Sequence, residues 1–174
     1  MSKDSPLYLG SLKNTPLGDL WMAFSENGLV ALEWDRDQSD LDAYLTKRLK
    51  RPIHLNPDKT SAPLRQLDEY LRGARKAFSF PIDWDLLRPF QRDVLQITFA
   101  IPYGETRTYS DIARQMGRER AARAVGRAEA TNPMPLIIPC HRVIGADGKL
   151  HGYGGGEGLK TKEWLLKMEG AFIA

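Results

Sequence analysis

Cysteine occurs once in the 174 residues, at Cys140, and a histidine follows it directly in Pro139-Cys140-His141-Arg142-Val143. A thiol beside an imidazole is a nucleophile beside a base, the pairing that covalent catalysis uses. The apolar run Leu136-Ile137-Ile138 leads into it. The alternative is therefore a small buried hydrophobe, the usual role of a lone intracellular cysteine. Adjacency makes direct thiol–imidazole contact awkward. Neighbours in a strand point to opposite faces, and in a helix they lie about 100° apart. Either Pro139 bends the chain or a water bridges the two groups. A catalytic histidine usually has a carboxylate that fixes its tautomer, and Glu169 is the candidate. It stands in Met168-Glu169-Gly170 at the end of an amphipathic helix expected over 161–168. A helix C-terminus favours a cation. A residue that breaks a local rule points to a functional site; the alternative is a frayed, solvated glutamate.

Between these groups lie Gly145-Ala146-Asp147-Gly148 and Gly152-Tyr153-Gly154-Gly155-Gly156. Glycines at this density let backbone approach a ligand closely. The segment lacks the lysine and spacing of a phosphate-binding loop, so it reads as a lid over the cysteine or as a plain connector. His54, His141 and His151 have no metal-ligand spacing, and one cysteine makes no thiolate site, so no metal is expected.

Seven arginines (107, 114, 118, 120, 123, 127, 142) fall within residues 106–142 against Asp111, Glu119 and Glu129. This is a candidate phosphate-facing patch, with a solvated helix face as the alternative. Residues 1–88 balance their charges, so the net +3 resides in 89–174.

The elements that must position these groups fall into two parts. In the first, strands are expected over 8–13, 19–25 and 29–35, with turns at Asn14-Thr15-Pro16-Leu17-Gly18 and Asn27-Gly28. Apolar residues at 41, 45 and 49 predict a helix over 40–49. The basic cluster at 47–51 complements its dipole. A second helix is expected over 63–72, stopped by Gly73, and Phe78, Phe80 and Ile82 alternate like a strand. A linker over 83–89 divides domain 1–84 from domain 85–174. The second part is mostly helical, with helices over 90–100, 109–116 and 118–130. Thr108 or Ser110 caps the 109–116 helix and Gly117 follows it. Two short helices around a glycine turn fit a helix-turn-helix; a plain packed pair is the alternative. Ala121-Ala122-Arg123-Ala124-Val125-Gly126 is nearly all small side chains. A helix that reads bases carries several donors and acceptors. This one suits a tight helix contact, or close, sequence-indifferent approach to a nucleic-acid groove with Arg123 as probe.

A hydrophobic fraction of 42% and a charged fraction of 27% fit an ordinary globular protein. One cysteine excludes an internal disulfide and fits a reducing compartment. Met1-Ser2-Lys3-Asp4-Ser5 leads into no apolar run, and no segment approaches a membrane span. The expectation is a cytoplasmic protein with no membrane association.

At Asn132-Pro133, Ile138-Pro139-Cys140-His141-Arg142-Val143-Ile144-Gly145 and Ala121–Gly126 the chain resembles the O6-alkylguanine-DNA alkyltransferase family (methylated-DNA–protein-cysteine methyltransferases). Gly152-Tyr153-Gly154-Gly155 and Lys162–Gly170 extend the resemblance, which is dense over about residues 89–170 and looser before, mainly at Thr15-Pro16-Leu17-Gly18. The resemblance implies an α+β fold: a small N-terminal antiparallel-sheet α/β domain of RNase H-like type, then a mostly helical domain with a winged-type helix-turn-helix. It implies that Cys140 accepts the alkyl group, deprotonated through a water by His141, which Glu169 orients. Asn132 would brace the helix pair against the site. Arg123 would replace a flipped nucleotide from the minor groove, and Tyr109 would help turn the nucleotide out and donate to the guanine. Thr108, Arg118, Ala121, Ala122 and Gly126 would face DNA. The carbonyls of Cys140 and Val143 would accept from the guanine amine, and Pro135, Val143, Tyr153 and Gly154 would line the pocket. The family often carries a hydroxyl residue at the Gly154 position; here only its backbone N–H remains. The product would be a thioether, so one turnover per chain is expected, with double-stranded alkylated DNA as partner and no cofactor. A monomer that packs cooperatively along nucleoid DNA is expected, and O4-alkylthymine is a further candidate substrate.

Two rivals stand beside this reading. A cysteine hydrolase using Cys140, His141 and Glu169 leaves the arginine-rich helix pair unexplained. A non-catalytic DNA-binding regulator leaves the Cys-His-Glu set without purpose.

Overall fold

The structure, a computed structural model, describes residues 5–34 and 37–171. It divides into two compact units, Met1–Trp84 and Asp85–Ala174.

In the first unit β1 (Leu7–Thr15), β2 (Gly18–Ser25) and β3 (Gly28–Trp34) form an antiparallel meander. The strand end expected at Asp35 lies outside the described residues. Helix α1 (Gln38–Leu49) follows, capped by Asp37, and then β4 (Ile53–Leu55), which adds one short parallel edge strand to β1. Strand alternation divides the core between the two faces of the sheet. Leu7, Leu9, Trp21 and Ala23 pack with Leu41 and Leu45 of α1. On the other face Gly10 of β1 meets Thr60 and Leu64 of α2 (Pro57–Leu71). Helix α2 starts at Pro57, ahead of the expected Pro63. Asn56 caps it and Pro57 takes its first position, where a missing N–H is harmless. Pro63 is tolerated inside the helix, with Thr60, Leu67 and Leu71 buried around it.

The expected strand through Phe78, Phe80 and Ile82 does not form. Ile82 makes one isolated bridge to Leu29. Pro81 has no N–H to extend a ladder, although its carbonyl accepts from Leu29 N at 2.9 Å. Phe78 and Phe80 pack on each other at 5.5 Å between ring centroids, and on Tyr70 and Phe24 respectively.

A one-turn 3-10 helix at Trp84–Leu86 occupies the expected linker at the boundary between the units. In the second unit helix α3 (Pro89–Phe99) leads to β5 (Arg107–Thr108), α4 (Tyr109–Gln115), a 3-10 turn at Glu119–Ala121, and α5 (Ala122–Ala130). Thr108 caps α4, accepting from Asp111 N while Asp111 accepts from Thr108 N in return. Val94, Ile112, Ala113, Val125 and Ala128 pack into one core with Val143. Each valine or isoleucine among them contributes on the order of 1.5–3 kcal/mol by leaving water. After α5 the chain runs buried from Pro133 to Cys140. It turns through Cys140–Arg142, pairs β6 (Val143–Ile144) with β5 in parallel, and closes with α6 (Leu159–Met168). Among the described residues no helix is long and apolar enough to cross a membrane, and no cluster of His, Cys, Asp and Glu could hold a metal.

Candidate active site

Cys140 opens a 3-10 turn rather than lying in an extended strand. Pro139, at φ −80° and ψ 62°, makes the bend. The loop before it is pinned from within: Asn132 Oδ1 accepts from Met134 N at 2.9 Å, and Asn132 Nδ2 donates to Ile138 O at 2.9 Å. Leu136 takes a left-handed φ of 71° with its side chain 1% exposed. Such a conformation costs on the order of 1–3 kcal/mol, and its surroundings must hold it. Cys140 is buried, with its amide donating to Ile138 O at 2.8 Å.

The turn sends His141 away from the surface, to full burial. Its Nε2 meets Glu169 Oε1 at 2.8 Å. With Nε2 bearing the proton toward the carboxylate, Nδ1 carries the lone pair that can take a proton. Burial lowers the His141 pKa, with Glu169 opposing and Arg142 and Lys162 adding to the fall. The imidazole is therefore a neutral base. Glu169 ends α6 against the dipole because Arg142 compensates it. Arg142 Nη2 donates to Oε1 and Nε to Oε2, both at 2.9 Å, while Nη1 donates to Ile101 O. Gly104 N adds a 3.3 Å bond to Oε2. Gly104 has φ 81°, and a Cβ there would come within 3.0 Å of Glu169 O, so glycine suits this close approach. Burial works against the Glu169 charge. The bonds from His141 and Arg142 outweigh it and hold the carboxyl well below the usual carboxylate range.

A second set of polar groups acts on the thiol electrostatically. Lys162 is fully buried, and Nζ donates to Val143 O at 2.6 Å, His151 O at 2.9 Å and Tyr109 Oη at 3.5 Å. Burial lowers it to about 8, and Cys140 and Glu129 pull it back up. Tyr109 Oη also donates to His151 O at 3.1 Å; burial, then Glu129 and Cys140, push it up to about 12. Glu129 projects inward from α5 and is 6% exposed. Its Oε1 contacts Thr98 Oγ1 of α3, and among the described residues its buried Oε2 has no hydrogen-bond partner. Burial raises its pKa to about 8 against the opposing effects of Thr98 and Lys162. The thiol itself is pushed up to about 12, by burial and then by Glu129, with Asn132 and Lys162 opposing. A lowered thiol pKa is the general requirement for useful thiolate at neutral pH; here the raised value keeps Cys140 a protonated thiol at neutral pH.

Cys140, His141, Asn132, Glu169, Tyr109 and Val143 thus come together. Pro135 is buried in the Asn132–Cys140 loop. Tyr153 is half-buried and Gly154 exposed beside the end of α5. A Cβ on Gly154 would lie 3.1 Å from Ala130 O, so a serine there requires that carbonyl to shift. On the helix pair Arg123 is exposed, Ala121 and Ala122 are half-buried, and Gly126 faces the Tyr109 ring. Arg118 stacks on Phe90 at 5.6 Å. The seven-arginine patch needs correction. Arg142 is buried against Glu169, and Arg107 and Arg114 pair with Glu105 and Asp111. Arg107 and Arg114 stay exposed in those pairs, as do Arg118, Arg120, Arg123 and Arg127 outside them, so only Arg142 leaves the patch. Sequence reasoning also passed over Thr98, Gly104, Glu129 and the pairing roles of Arg142 and Lys162. A lysine inside an amphipathic helix reads as solvated, and only the fold turns it inward.

Two family models match the chain: the 6-O-methylguanine DNA methyltransferase ribonuclease-like domain over residues 7–84, and the DNA binding domain of the same family over 89–171. A Methanosarcina barkeri methylated-DNA–protein-cysteine methyltransferase is 41% identical over 157 residues, covering 89% of this chain and 92% of that protein. The crystal structure of Mycobacterium tuberculosis O6-methylguanine methyltransferase superposes with a TM-score of 0.75 at 37% identity, covering 94% and 93% of the two chains. A crystal structure of OGT from that organism in complex with DNA gives a TM-score of 0.75 at 37% identity, over 95% and 92%.

Proposed function

This chain belongs to the 6-O-methylguanine DNA methyltransferase family, and on that footing we propose that Cys140 takes the alkyl group of O6-alkylguanine in a single irreversible transfer. The observation that carries this reading is the buried thiol set between the Asn132-braced loop and the His141–Glu169–Arg142 assembly. Cys140 is 6% exposed, so a duplex base must leave the stack to reach it, at a cost of a few kcal/mol. Arg123, exposed on α5, fills the gap from the minor groove, and Tyr109 helps turn the nucleotide out and, turning its hydroxyl proton from His151 O, donates to the guanine. The backbone carbonyls of Cys140 and Val143 accept from the guanine amine through a second lone pair, since Val143 N and Lys162 Nζ already occupy the first.

In the chemical step the thiol proton passes through a water to His141 Nδ1, and the imidazolium that forms is stabilised by Glu169. The sulfur attacks the alkyl carbon in line. The S–C bond forms as the C–O6 bond breaks, and the guanine anion recovers a proton, so the products are guanine and S-alkylcysteine. Hydrogen bonds to the departing base stabilise its charge. The thioether offers water no carbonyl, which ends the reaction at one turnover without any cofactor. The protein acts as a cytoplasmic monomer, nucleoid-associated and cooperative along DNA, and the same pocket takes O4-alkylthymine.

Incubation with excess O6-methylguanine duplex tests the reading. Base repair is expected to stop at one equivalent per chain, with none for Cys140→Ser. Continued turnover would instead favour a hydrolase.

A further inference from the structure

We propose that Glu129 is a positioning residue for the alkyl transfer, held as a neutral acid so that Lys162 faces Cys140 as an unopposed cation. The inference rests on Cys140 being the alkyl acceptor. Hydrogen-bond counting carries it. Thr98 has one hydroxyl proton, and its Oγ1 donates to Val94 O at 3.1 Å while also contacting Glu129 Oε1. Thr98 fits either state, giving its proton to a carboxylate or accepting one from a carboxylic acid while it donates to Val94 O, so the second oxygen decides. Ionised, Glu129 would leave Oε2 as a buried negative oxygen with no hydrogen-bond partner among the described residues, an arrangement that carries a large desolvation cost. Lys162 supplies the complement. Its three acceptors, two backbone carbonyls and a phenol, match the three donors of an ammonium and bring no counter-charge.

The groups facing Glu129 come from every element packed around it: Thr98 of α3, Tyr109 of α4, Cys140 of the 3-10 turn and Lys162 of α6. Lys162 is the cation among them. A neutral Glu129 leaves its field directed at the sulfur, where it favours the thiolate that forms as the proton passes to His141. An ionised Glu129 would cancel that field and repel the thiolate. Burial sets the Glu129 pKa at about 8, so the transition falls just above neutral pH. Helix α5, which presents Arg123 outward, therefore also carries an electrostatic gate on its inner side.

Two measurements on the full chain test this. Carboxyl 13C resonances of the wild type, with Glu129 assigned through Glu129→Gln, should show Glu129 titrating near pH 8, far above the exposed glutamates; titration among them overturns the proposal. Transfer from O6-methylguanine duplex is then followed across pH for both proteins. The ratio of the Glu129→Gln rate to the wild-type rate should rise several-fold between pH 7 and 9. Profiles of identical shape overturn the gate and assign any alkaline fall to Lys162. Absence of alkyl-cysteine in both proteins at every pH would instead remove the acceptor role of Cys140.

Discussion

At the scale of single residues, the site depends on two buried opposite charges, Glu169 and Arg142, that compensate each other. Glu169 has a fully buried side chain and Arg142 one that is 7% exposed. Removing one partner of such a pair leaves an uncompensated charge. Arg142→Leu should therefore destabilise the protein by about 3–5 kcal/mol in denaturant unfolding; a loss below about 1 kcal/mol, the range of an exposed pair, would contradict the assignment. Glu129 differs from Glu169 in that burial raises its pKa on balance. Its folded pKa lies near 8 and its ordinary value is 4.5. Between those values the unfolded chain has released the proton while the native protein keeps it, so this residue's contribution is present at low pH and lost as pH rises toward 8. The stability of Glu129→Gln relative to wild type should therefore grow from pH 5 to pH 8, by on the order of a few kcal/mol. A pH-independent difference between the two would contradict this. Cys140, His141 and Glu169 were legible in the sequence because their types announce chemistry and because Glu169 opposes a helix dipole. Arg142 and Lys162 were not, since a cation's burial depends on which acceptors the folded chain brings to it. Arg142 needed Ile101 and Glu169, and Lys162 needed Val143 and His151, all distant in sequence.

At the scale of elements, the α4–α5 pair was legible from Thr108 as cap and Gly117 as stop. The division of labour across α5 was not. One face carries Arg123 to the exterior, and the other buries Glu129 and seats the Tyr109 ring on Gly126. The Arg123→Ala protein should repair duplex substrate at least about tenfold more slowly, a loss of about 1.4 kcal/mol in the transition state, with far less effect on reaction with a free O6-alkylguanine base. Equal losses on both substrates, measured as second-order rate constants, would remove Arg123 from nucleotide extrusion. Elsewhere local pattern misled where a proline intervened. Pro63 read as a start because it suits a first turn, yet the apolar face of α2 carries the helix across it. The alternation of Phe78, Phe80 and Ile82 read as a strand, yet Pro81 limits the pairing and the aromatic rings pack on one another.

At the scale of the molecule, the meander of the first unit was legible through its turns, and the parallel pairing of β4 was not, since three residues carry too little pattern to set a partner. The net charge of +3 understates the field on the helical unit, where Arg118, Arg120, Arg123 and Arg127 share an exposed face. Association with DNA should weaken linearly in log salt, and replacing Arg120 and Arg127 with alanine should reduce that slope by about two. A slope unchanged in the double variant would place the phosphate contacts elsewhere. The braced loop, the base and the exposed arginines all serve one sulfur atom. Peptide mass spectrometry after reaction with a duplex carrying isotopically labelled O6-methylguanine should locate a single added methyl on Cys140, with restored guanine in the DNA. Restored guanine beside an unmodified Cys140 would contradict it.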